Sequence, residues 1–330
     1  MNIPSVDKIS DLYQKGLSRR NFLAGAGATG AATVLAGCGG YNPAMTTTVT
    51  TTAYTDADIL NFALNLEYLE AEFYLRCATG SGLSVADAGG STAGTVTGGA
   101  QVTGLTSAQQ NILNEIAYDE QQHVRFLRSA LGASAVARPN IDLTNSFNAL
   151  ASAAGIGSTF NPYANFDAFI TGAFVFEDVG VTAYAGAAPL ISAAGVTAGY
   201  LAAAAGIMAV EAYHAAYIRT YLTAQAIASA SYPYLGYANK VSALRATLGG
   251  GNETTLTVPT GTGPFITTIP TPSAIVAATT TNAIAFARTT DQVMHIVYGS
   301  AGAGAGYGAG VKSGAFFPNG LNGKIAATLS

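Results

Sequence analysis

Two of the chain's three histidines each follow a glutamate by three residues, in Glu120-Gln-Gln-His123 and Glu211-Ala-Tyr-His214. Residues i and i+3 share one face of a helix, a turn apart, so each pair can offer a carboxylate and an imidazole to one metal ion. Two such helices facing each other can hold a pair of ions, if two further helices each add a lone glutamate. Both lone glutamates are present. Glu67 stands in Leu64-Asn-Leu-Glu-Tyr-Leu-Glu-Ala-Glu-Phe-Tyr74, and Glu177 in Phe174-Val-Phe-Glu-Asp-Val-Gly-Val-Thr-Ala-Tyr184. Each is followed seven residues later by a tyrosine, two turns along the same face. The chain contains eight glutamates, and four of them fall in this pattern. The order is Glu…Tyr, Glu-x-x-His, Glu…Tyr, Glu-x-x-His, a two-helix unit used twice.

The neighbours of these residues leave choices open. Glu70, one turn from Glu67, is an alternative ligand from the first helix. The tyrosine at +7 and the match to the third helix favour Glu67. Glu72 points elsewhere and is expected in solvent. Tyr74 and Tyr184 read as core residues with a satisfied hydroxyl, or as partners just outside the ligands. Asp119 and Asp178 each adjoin a ligand residue but point about 100° away around the helix, toward an outer partner or the surface. His295 has no glutamate at the matching position and reads as structural.

Four helices must carry the set. The first is expected from Thr55 or Asp56 to about Ala78, before Gly80-Ser-Gly, and is apolar enough to be largely buried. The second opens at Thr106-Ser-Ala-Gln-Gln and reaches about Leu131. Between them, residues 79–104 are a Gly/Ser/Thr/Ala loop. Residues 132–165 form a long irregular crossover with a short helix near Asn145–Ala153. The third helix runs from about Phe166 to Ala187, stopping at Pro189. The fourth covers roughly Ala193 to Ala228, with Gly195, Gly199 and Gly206 weakening its first half. Residues 231–330 read as a Gly/Thr/Pro-rich irregular extension packed on the bundle. It holds short strands within Thr255–Pro272 and a helical segment from Ile284 to Val297. The fold class is all-α, a four-helix bundle over residues 55–230.

Composition narrows the partners. Only 10% of residues are charged and the net charge is −4, against about a quarter charged in an average protein. Beyond Arg19-Arg20 there is no basic cluster, so nucleic-acid binding lacks an electrostatic footprint. Ser18-Arg-Arg-Asn-Phe-Leu23 has the pattern of a twin-arginine export signal, followed by a small-residue apolar run from Ala24 to Ala36. That run is too short to remain as a spanning helix. It ends in Leu35-Ala-Gly-Cys38, similar to a lipobox, which would attach a lipid to Cys38, anchor the protein to a membrane and remove residues before it. Residues 39–54 then form a Thr-rich tether. A periplasmic or envelope location follows. Cys77 remains single, a buried structural thiol. Self-association into a homo-oligomer fits the low charge.

The Glu67, Glu120/His123, Glu177, Glu211/His214 pattern resembles the ferritin-like superfamily. The segment from Leu60 to Tyr74 is most similar to bacterial ferritin-like proteins related to desiccation-associated proteins. The resemblance implies that Glu67 and Glu177 are terminal or bridging ligands, that Glu120 and Glu211 bridge, and that His123 and His214 each cap one ion. A shell of carboxylates and imidazoles suits two iron or two manganese ions. Four carboxylates would neutralise two divalent ions inside an apolar bundle. The implied activity is ferroxidase, peroxidase or catalase-like chemistry on oxygen or peroxide, protecting the envelope against stress. The competing expectation is a non-catalytic, desiccation-related envelope protein.

Overall fold

The computed structural model describes residues 54–257, 283–300 and 310–329. The export signal, Cys38, most of the tether and nearly all of the 255–272 stretch lie outside them. Helix α1 (Asp56–Thr79) starts at a capping box: the Thr55 hydroxyl accepts from the Asp58 amide, and the Asp58 carboxylate accepts from the Thr55 amide. It stops at Gly80, whose φ of 78° is left-handed and returns an amide to the Arg76 carbonyl. Nearly every side chain between Ile59 and Tyr74 is buried, so α1 is the central helix of the bundle.

Helix α2 (Ser107–Leu131) opens on a second capping box, Thr106 with Gln109. It buries one stripe, Leu113, Ile116, Ala117, Glu120, His123, Val124, Leu127 and Leu131, and packs this against α1. The loops on either side of α2 are stitched by two short parallel strands, β1 (Val96–Thr97) and β2 (Ile141–Asp142). Helix α3 (Asn145–Ala153) sits in the crossover, where the sequence places it.

The third bundle helix comes in two pieces, α4 (Phe166–Ala173) and α5 (Glu177–Ala187). Between them the amides of Val175 and Phe176 bond back three residues, to Gly172 and Ala173, tightening the turn. The fourth helix is also divided, into α6 (Ala193–Thr197) and α7 (Tyr200–Ala228), at Gly199 with φ 90°. Two segments, Phe166–Leu190 and Tyr200–Ala228, are long and apolar enough to cross a membrane. Both serve here as bundle helices, turning Glu177, Glu211, His214 and Arg219 inward.

The extension is more regular than its composition implies. Residues expected to be irregular form α8 (Tyr234–Leu248), which packs on α4 and α7. Val241, Leu244, Arg245 and Leu248 repeat at helical spacing, a pattern masked in the sequence by Pro233, Gly236 and Gly249. The expected 284–297 helix is shorter. Thr289 and Gln292 form a capping box that starts α9 (Thr290–Tyr298) there, against α5. The final described segment docks on α1 through Asn65, whose side chain donates to the Asn322 carbonyl and accepts from the Asn322 amide.

Candidate metal centre

In both α2 and α7 the Glu-x-x-His pair lies inside the apolar stripe. On α7 that stripe is Ala204, Ile207, Glu211, His214, Ala215, Ile218 and Leu222. Burying the stripe for its hydrophobic gain therefore buries the polar pair with it. Glu177 is the first residue of α5, just past the break. There the helix N-terminus favours a carboxylate, and the break turns Glu177 toward the bundle interior.

These residues converge. His123 Nδ1 lies 3.2 Å from Glu67 Oε2, 3.4 Å from Glu120 Oε2 and 3.5 Å from Glu211 Oε1. His214 Nδ1 lies 3.1 Å from Glu120 Oε1 and 3.5 Å from Glu177 Oε2. Glu120 thus turns one oxygen to each histidine, the placement a bridging carboxylate needs. Potential ligand atoms fall into three sets, each within 4.8 Å: Glu67, Glu120, His123 and Glu211; Glu120, Glu177 and His214; Glu70, Glu177 and Glu211. The choice between Glu67 and Glu70 therefore dissolves, because both face the cluster. Gly180 makes the room, since a Cβ there would sit 2.4 Å from Glu211 Oε2 and 3.3 Å from Glu70 Oε1.

The tyrosines cross over. Tyr74 on α1 donates to Glu177 on α5, and Tyr184 on α5 donates to Glu67 on α1. Two reciprocal bonds, each spanning the seven-residue offset, require the two helices to run antiparallel. Burial, then the nearby carboxylates, pushes both phenols well above their ordinary range, so they remain donors.

Charge is poorly compensated inside the cluster. Both oxygens of Glu120 and of Glu211, Glu177 Oε2 and His214 Nδ1 are buried without a hydrogen-bond partner. His214 Nδ1 is close to Glu120 but out of alignment, as expected of groups aimed at a common point rather than at each other. Burial lifts Glu67 to about 7, with His123 pulling the other way. Burial and then the surrounding carboxylates push Glu70 and Glu211 well above the usual carboxylate range. Burial also opposes charge on Glu120, yet the imidazoles of His123 and His214 hold it down at about 2. Native proteins leave few buried polar atoms unpaired. So many convergent lone pairs from hard oxygen and nitrogen donors fit a site for bound metal.

Around the cluster, Asp119 is the outer partner of His214, with Oδ2 3.2 Å from Nε2. It stands at the foot of a cleft of about 280 Å³ between α2 and α7, lined also by Ile112, Glu115, Tyr213 and Tyr217. Glu72 is not solvated as its position on the helix implies; it is fully buried and paired with Arg76 and Arg138. Asp178 is likewise no surface residue, for its Oδ2 accepts from Arg219 at 2.7 Å and Arg245 at 2.8 Å. Cys77 is buried, which pushes its thiol up, and His295 lies in α9 with Nδ1 3.0 Å from the Ser300 hydroxyl, outside the cluster.

Sequence reasoning missed a buried ion network behind α5. Arg245 on α8 donates to the Phe174 and Val175 carbonyls at the helix break, and to Asp178 and Glu253. Arg288 bonds Glu253 and the Thr182 hydroxyl. The available signal was Arg219 itself, the one Lys or Arg in the apolar α7.

Comparison with known proteins agrees with the geometry. The pattern of the ferritin-like domain matches residues 55–224, and that of the twin-arginine translocation pathway signal sequence matches residues 16–36. The chain is 30% identical to the ferritin-like catalase Nec2 of Nesocodon mauritianus, over 82% of this chain and 85% of that protein. It is 34% identical to the desiccation-related protein PCC13-62 of Craterostigma plantagineum, over 59% of this chain and 62% of that one. No solved structure matches the chain significantly. The signal directs export by the twin-arginine route. With more than half its length matching that domain, the cluster included, the chain belongs to the ferritin-like family.

Proposed function

We propose that the exported protein binds a pair of iron or manganese ions and uses them on dioxygen or a peroxide, in a ferroxidase, peroxidase or catalase-like reaction. The observation that carries this reading is the convergence of unpartnered Glu120, Glu177, Glu211 and His214 atoms at one buried point. Glu67, Glu120, His123 and Glu211 would hold one ion; Glu120, Glu177 and His214 would hold the other. Such a pair supplies two one-electron changes, which a two-electron reaction at an O–O bond requires. The chain's own residues do the rest. Tyr74 and Tyr184 fix the Glu177 and Glu67 carboxylates from across the bundle. The cleft above His214 gives a molecule the size of peroxide a way in, and Asp119 orients the imidazole at its foot and can pass a proton between it and solvent. The relative named as a catalase favours peroxide among the substrates.

A second reading rests on the desiccation-related relative: a non-catalytic envelope protein in which the ions only brace the bundle. In either reading, lipidation at Cys38 would tether the protein to the outer face of the membrane. The test is metal content of the exported protein, followed by peroxide consumption on the same sample. Two ions per chain with turnover, both lost in Glu120→Gln while helix content persists, is the outcome expected. Two ions without turnover would favour the bracing role, and no metal would sink the site.

A further inference from the structure

Resting on the dimetal reading, we infer that Glu70 is a fifth carboxylate of the metal pair, holding it toward a higher oxidation state. Glu70 is 4% exposed, and among the described residues it forms no hydrogen bond or ion pair. Its potential ligand oxygen groups with those of Glu177 and Glu211, both already facing the cluster. On its other side lies a cavity of about 20 Å³ walled by Leu66, Leu69, Val175, Val179, Ile296 and Phe316, where Glu70 is one of the few polar side chains. That side offers nothing to balance a charge. A buried carboxylate costs several kcal/mol unless something positive compensates it. The cluster is where a compensating charge can sit.

The charge count then changes. Glu67, Glu70, Glu120, Glu177 and Glu211 carry five negative charges when ionised, and the two imidazoles bind metal as neutral donors. Two divalent ions leave one negative charge over in an apolar interior. Loss of one electron from the pair restores neutrality, so Glu70 favours the oxidised pair. Gly180 keeps the approach of Glu70 and Glu211 open, as a side chain there would displace Glu211 and crowd Glu70.

The test compares the unsubstituted chain with Glu70→Gln, which keeps the shape and removes the charge. Each is loaded with Mn(II) or Fe(II), its bound metal counted, and its midpoint potential measured by redox titration. The result expected is two ions per chain in both proteins, with the potential of Glu70→Gln shifted upward. An unchanged potential with two ions bound would overturn the inference and leave the dimetal reading intact. A structure of the metal-loaded parent gives an independent answer, and a Glu70 carboxylate turned away from both ions would overturn it equally. An unsubstituted chain that holds no ion pair would overturn the dimetal reading, and this inference with it.

Discussion

Loading the metal-free protein with two divalent ions near pH 7 should expel about four protons per chain. The count comes from the groups that hold protons before metal arrives. Burial works against charge on His214, but Glu177 and Glu120 more than offset it and hold the imidazole up at about 12. His123 is raised in the same way, chiefly by Glu67 against the opposing effect of burial. Burial and the neighbouring carboxylates push Glu70 and Glu211 well above the usual carboxylate range, toward the protonated form. A metal ligand must be a neutral imidazole or an ionised carboxylate, so each of these four gives up its proton. Glu67, at about 7, adds a fraction of a fifth. All these groups are raised, so protons compete with metal and affinity falls as pH falls. With about four protons released, the product of the two association constants should rise by about four decades per pH unit, or about two per ion. Titration calorimetry in buffers of different protonation enthalpy counts the protons directly. Release of one proton or none would refute the reasoning, because the imidazoles and carboxylates would then not be neutralising one another before metal binds.

Two further outcomes separate the cluster from its surroundings. Asp119→Asn should weaken metal binding about 10- to 100-fold through loss of the carboxylate behind His214, with the metal-free melting temperature nearly unchanged; metal titration of both proteins measures it. Arg138→Ala leaves Glu72 buried with Arg76 alone, and should cost about 3 kcal/mol in denaturant unfolding while both ions still bind.

Much of this was legible in the sequence because chemistry and periodicity coincide. Glu120 and His123 fall on the same 3.6-residue stripe as Leu113, Ile116 and Leu127, so the pattern that identifies the helix also says which way the ligands face. The +7 tyrosines matched Glu67 with Glu177, and the structure adds why: each serves the other's glutamate across antiparallel helices. Residues whose fate depends on a distant segment were not legible. Glu72 looked solvated because its partner Arg138 comes from the crossover, sixty-six residues later. Glu70 looked like a rival to Glu67 because helical geometry places both on adjacent turns and says nothing of Gly180 opposite. Helix α8 was hidden by the glycines and proline at its ends, and the network it serves joins residues from four separate stretches of chain.

That network has a consequence in time. By residue 214 every side chain of the candidate centre has been synthesised, yet the third helix is unfinished. The carbonyls at its break wait for Arg245, and the Thr182 backbone carbonyl accepts from the Arg288 amide, where Gly186 leaves space for the approaching segment. Until residues near 288 leave the ribosome, Glu177 stands at the edge of an uncapped turn. The centre therefore closes fully only once the segment near residue 288 can pack behind it. An export route that carries folded proteins gives such a chain the interval, inside the cell, in which to close around the candidate centre.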